Sequence, residues 1–148
     1  SKFLGMRYIY TPQLVIQGAD HEVGSDRTKI LAKIAKAAKL DQVAVGIRRG
    51  GDGLRVNVPA GKPDQAAVWL AVFDSRKDTV IKRGENSGRT LSYYNVVRGM
   101  TRIGTWSGRA LDIRTAMDDL SAQGSDNCAV ILQSLKTGRI LGVARVAL

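Results

Sequence analysis

The feature that most constrains the fold is a change of hydrophobic period near Val43. Before it, apolar residues recur at helical spacing. After it, short apolar runs alternate with polar residues and are cut by turn sequences, the pattern of half-buried strands. Val43–Ile47 and Leu54–Val58 flank Gly50-Gly51-Asp52-Gly53, whose glycines permit the positive φ of a tight hairpin. Residues 66–73 and 79–83 flank Asp74-Ser75-Arg76-Lys77, read as another turn. Residues 91–103 form one long strand or two bent ones, with Gly99 marking a bend or bulge. Residues 109–114 alternate, 115–121 read as loop or short helix, and 129–135 with 140–146 close a last hairpin around Lys136-Thr137-Gly138-Arg139. Some eight strands joined by short turns predict an antiparallel sandwich or barrel over 43–148.

Residues 1–42 read differently. Residues 13–16 and 20–23 are a short antiparallel pair around Gln17-Gly18-Ala19, with Pro12 at the strand start, where its missing N–H does no harm. Ser25 or Asp26 caps a helix running to about Leu40. Its Ile30, Leu31, Ile34, Ala35 and Ala38 oppose Lys29, Lys33 and Lys36, so the apolar side is expected to dock.

The net charge is +10, from 23 Lys and Arg against 13 Asp and Glu. That excess attracts an anionic ligand such as nucleic acid, anionic lipid or lipopolysaccharide, or simply solvates a surface. The basic residues are spread along the chain, and there is no specific nucleic-acid motif. No run approaches the ~20 apolar residues of a transmembrane segment. Ser1-Lys2-Phe3 has neither an initiating Met nor the apolar stretch of a signal peptide, so the chain is expected to be processed or cut.

Candidate chemistry is sparse. The single cysteine, Cys128, heads an apolar strand and reads as a buried structural thiol. His21 is the sole histidine, without the companions a metal site needs. No cofactor is implied. Arg48-Arg49-Gly50-Gly51-Asp52-Gly53 lacks the Gly-Lys-Ser/Thr ending of a phosphate loop and reads as a hairpin. Tyr93, Tyr94, Asn95, Arg98, Arg102 and Trp106 form the richest polar-aromatic cluster. Tyr94, Asn95, Arg98 and Trp106 are its binding candidates, against a structural alternative in which Arg98 pairs with Asp112 or Asp118.

Three segments carry a family resemblance: Tyr10-Thr11-Pro12-Gln13-Leu14-Val15 with Gly18 and Val23-Gly24-Ser25; Asn95-Val96-Val97-Arg98 with Ile103-Gly104-Thr105-Trp106-Ser107-Gly108; and residues 128–133 with 140–145. In these the chain resembles a bacterial secreted family of unknown function that joins an N-terminal thioredoxin-like domain to a C-terminal β domain. The resemblance implies an α+β chain: the C-terminal remnant of a thioredoxin-like domain over 1–42 (strand–turn–strand–helix), then a mainly antiparallel β-sandwich over 43–148. It implies a periplasmic or secreted location, and a groove walled by a cis-proline at Thr11 and Pro12. Members carry a Cys-x-x-Cys that this chain lacks. The chain is therefore expected to be a non-catalytic portion of such a protein. The alternatives are a thiol-disulfide oxidoreductase with its dithiol on another segment or chain, and a basic polyanion-binding module. An N-terminal fragment or second copy is expected to cover the sheet edge beginning at Pro12.

Overall fold

The computed structural model describes residues 12–51, 53–116 and 124–148. The elements are β1 (Gln13–Ile16), β2 (Asp20–Val23), α1 (Arg27–Ala37), β3 (Gly46–Gly50), β4 (Gly53–Val58), β5 (Ala66–Val80), β6 (Thr90–Trp106), β7 (Leu111–Ala116), β8 (Asn127–Ser134) and β9 (Ile140–Ala147). All strand pairs are antiparallel. They make a β1–β2 hairpin, a three-stranded sheet ordered β3-β4-β7 and a four-stranded sheet ordered β6-β5-β8-β9.

The two larger sheets share one core. Alternation along β4 buries Leu54, Val56 and Val58, which meet Val68, Leu70 and Val72 of β5 and Cys128, Val130 and Leu132 of β8. Trp106 plugs one end at 1% exposure and donates its indole N–H to the Pro59 carbonyl at 3.1 Å. Central β5 is paired on both sides over 66–73.

The expected α+β class is corrected: the chain is mainly β. Its one helix among the described residues has 11 residues, against 15 in β5 and 17 in β6. The strand–turn–strand–helix order is present at 13–37, and Asp26 caps the helix by accepting from the Lys29 amide at 3.0 Å. It does not build a layered α/β unit or a thioredoxin-like remnant, because the helix turns the wrong side inward. Lys33 reaches Asp20 at 2.9 Å, Glu22 at 3.1 Å and the His21 carbonyl at 2.5 Å. Leu31 and Ile34 are left 50% and 46% exposed. The ion pairs orient the helix, and of the apolar stripe expected to dock only Ile30 is half-buried, while Leu31, Ile34, Ala35 and Ala38 are exposed.

The expected turn at 74–77 is also corrected. β5 runs straight through it, and the chain reverses at 81–89, where Gly84 and Gly88 have φ of 86° and 82°. Charged residues are tolerated in this strand because β8 pairs with β5 only as far as Phe73. Beyond it β5 and β6 continue as an exposed two-stranded ribbon. Its bonds are polar: Arg98 to Asp74 at 2.8 Å, Arg76 to Asp78 at 3.0 Å, and the Ser92 hydroxyl to Asp78 at 2.6 Å. The register shifts where Arg98 and Ile103 are extra residues on β6, the first of them beside Gly99.

Candidate functional site: an arginine row on the three-stranded sheet

The inward alternation of β4 turns its other residues outward. Arg55 stands between Leu54 and Val56, and its partners in register are Arg48 on β3 and Arg114 on β7. Three guanidinium side chains therefore lie side by side across the sheet, all exposed. The β3–β4 hairpin closes at Gly51, with φ of 58°. Next to the row the same face carries Gly50, Gly53 and Ala116. A Cβ on Gly53 would collide with the Thr115 carbonyl, so glycine lets β7 approach, while Gly50 and Gly51 border open space. The result is a shallow groove of about 550 Å³ lined by Arg48, Arg49, Arg55 and Arg114 around a glycine floor.

None of these four arginines forms an ion pair or side-chain hydrogen bond among the described residues. Among the described residues, the acid on this face is Asp112, which lies one row further along and accepts from the Asn57 amide at 2.8 Å. Like charges on directly opposed cross-strand positions destabilise a sheet. An anion lying over the row would relieve that repulsion, and planar guanidinium forks suit phosphate, sulfate or carboxylate oxygens. Among the described residues the groove lining holds four arginines and no carboxylate, histidine or cysteine. Among the described residues no group of His, Cys, Asp and Glu could hold a metal ion.

The residues singled out from sequence fall elsewhere and do not converge. Tyr94 is 66% exposed on the ribbon opposite Arg76. Asn95 has a left-handed backbone, φ 53°. Arg98 is tied to Asp74, not to Asp112; Asp118 lies outside the described residues. Trp106 is buried at the far end of β6. Thr11 lies outside the described residues, and with it the Thr11–Pro12 bond. Pro12 is exposed and accepts from the Gly24 amide at 2.8 Å. Cys128 is fully buried, and burial pushes its thiol up to about 11, which suppresses the thiolate needed for exchange.

Sequence reasoning missed Arg55 and Arg114. Part of the signal was present: Arg48 and Arg55 are symmetric about the Gly50–Gly53 turn, so a two-residue hairpin loop makes them cross-strand neighbours. Nothing local places β7 beside β4.

The chain matches, over residues 1–133, the sequence profile of the family described as "Protein of unknown function (DUF1223)", and it belongs to that family. No curated protein matches it in sequence. A crystal structure of an Agrobacterium tumefaciens protein from structural genomics is similar to it, with a TM-score of 0.80 at 24% identity. The match covers 98% of this chain and 65% of that one, so the chain spans about two thirds of that protein's length and shares its fold over that part.

Proposed function

We propose that this family member is a non-catalytic module that binds a multiply charged anion along Arg48, Arg55 and Arg114. One observation carries the reading: three guanidinium groups on adjacent strands, bordering a glycine-floored groove, with no counter-charge among the described residues. Neighbouring strands lie ~4.8 Å apart, so the row extends about 10 Å and suits anionic groups repeated at about 5 Å. The proposed setting is the periplasm or the cell exterior, a reading that rests on the family resemblance.

The test is calorimetric titration of the chain with inorganic tripolyphosphate at low and raised salt. Binding is expected to weaken steeply as salt rises, and Arg55→Glu, at the centre of the row, is expected to cost at least about tenfold in affinity. A chain that ignores tripolyphosphate at low salt, or an Arg55→Glu variant that binds it as well as the parent, overturns the reading.

A further inference from the structure

The four-stranded sheet presents a second outer face of different chemistry. Cross-strand registers put Val97 beside Phe73, Met100 beside Ala71, and Trp69 beside Ile131 and then Val143. The core-facing residues of β5 are Ala66, Val68, Leu70 and Val72, so these others point away from the core. The same alternation continues onto the ribbon, where Tyr93 faces Lys77. Val97, Val143, Met100 and Tyr93 are 58%, 56%, 50% and 46% exposed, flanking Ala71 and Phe73 of the central strand, which their neighbours bury. Single exposed apolar residues are ordinary, but a contiguous apolar strip marks a contact surface.

Cations are interspersed with this strip. Lys77 sits on the ribbon, Arg102 pairs in register with Trp69, and Arg145 with Ala129. Among the described residues Arg102 bonds to neutral groups, the Gly104 carbonyl and the Thr105 hydroxyl. Asp74 and Asp78 of β5 lie on the opposite face, held by Arg98 and Arg76, and the Asp126 carboxylate at the ribbon's base is held by Ser75 and Asn127.

We propose that this face docks on an anionic lipid bilayer. Its positive charge is spread over about 30 Å of the sheet, at ~3.3 Å per residue from Lys77, which pairs with Tyr93, to Arg102, which matches a surface of diffuse negative charge better than one discrete acid. Aliphatic side chains and a tyrosine between the cations suit the interfacial layer of a membrane, where amphipathic rings lie at headgroup level. A second copy is disfavoured, since two-fold pairing would bring two faces together whose named charges, Lys77, Arg102 and Arg145, are all positive. This inference is independent of the arginine row, which lies on the other sheet.

The test is co-sedimentation of the full chain with phosphatidylglycerol–phosphatidylcholine vesicles, beside phosphatidylcholine vesicles alone. Binding to the anionic vesicles is expected, falling at least about tenfold in Arg102→Glu/Arg145→Glu and clearly in Val97→Ser/Met100→Ser. Arg55→Glu should retain it within about twofold, given that each basic residue near the surface contributes about 1 kcal/mol and this one faces away. Hydrogen exchange on the unsubstituted chain guards against misfolded variants: vesicles should protect residues 91–102. The proposal is overturned by absent sedimentation with anionic vesicles, by equal loss in Arg55→Glu, or by protection confined to β3, β4 and β7. Concentration-dependent dimers that disappear in Val97→Ser/Met100→Ser would instead assign the face to a second copy.

Discussion

In the sandwich, Leu54, Val68, Val130 and Leu132 lie fully buried between two sheets, whereas in the unit made of β1, β2 and α1 only Ile16 and Ala37 are buried. The sandwich rests on apolar burial, which salt does not screen. The hairpin–helix unit rests on Lys33 shared between Asp20 and Glu22, which hold its ammonium above the usual lysine range; Lys33 holds the Asp20 carboxyl below its usual range, and the Val23 amide, then Lys33, does so for Glu22. Those groups are partly exposed, Asp20 the most at 42%, so the pairs contribute modest net free energy and weaken as salt rises. An 11-residue helix is marginal on its own. Ion pairs can orient an element without making it stable, and the unit should open well before the sandwich does.

The sharpest way to break that contrast is a matched truncation. Leu132→Ala should destabilise the chain by about 2–5 kcal/mol, since it empties a buried site between the sheets. Leu31→Ala, on the exposed side of α1, should stay within about 0.5 kcal/mol. Urea unfolding of both variants reads the difference; comparable losses would mean that the face of α1 is covered in solution.

Lys33→Gln should leave the urea midpoint of the sandwich nearly unchanged while amides of α1 and of 20–23 lose protection from hydrogen exchange. Global destabilisation by this substitution would show that the two regions unfold as one.

The smallest effect should appear at the base of the ribbon. The Asp126 carboxylate accepts hydrogen bonds from the hydroxyl and amide of Ser75 and from Asn127, and these bonds, the hydroxyl's first, hold its carboxyl at about 2 against a usual 3.8. The depressed value means that the bond contributes above pH ~4 and is lost as pH falls through 2. The Ser75 amide should therefore lose protection between those values while the β4 amides keep theirs. Simultaneous loss at both places would indicate acid unfolding of the whole sandwich.

Most strands in 43–148 were legible because alternation and turn chemistry are local, though β3 begins at Gly46, not Val43, and the strand expected at 79–83 is the end of β5 and the turn after it. The α1 cap at Asp26 and the β1–β2 pair were legible for the same reason. What failed was tertiary. The helical wheel showed an apolar stripe but not that Lys33 would find two carboxylates across the hairpin. Asp74–Lys77 looked like a turn because charged residues seldom run through a strand, and only the absence of a third strand beside the ribbon lets them do so. The arginine row was hidden because Arg114 joins Arg48 and Arg55 through a pairing that spans nearly sixty residues of chain.

The hairpin–helix unit touches the sandwich at a small joint. At the β1–β2 turn, Gln17 and Gly18 both have positive φ, and the Gln17 carbonyl accepts from the Ile140 amide at 2.8 Å. A Cβ on Gly18 would run into the Gly138 carbonyl and stand 3.4 Å from the Ile140 side chain. Backbone meets backbone here, with the Ile140 side chain alongside, so the joint would act as a bearing. Under a pull on β1 the unit would swivel about Gly18 while the sandwich kept its shape, so mechanical compliance would be concentrated at one residue. A methyl group there would jam the bearing open, and the chain would behave as two bodies joined only by their tether.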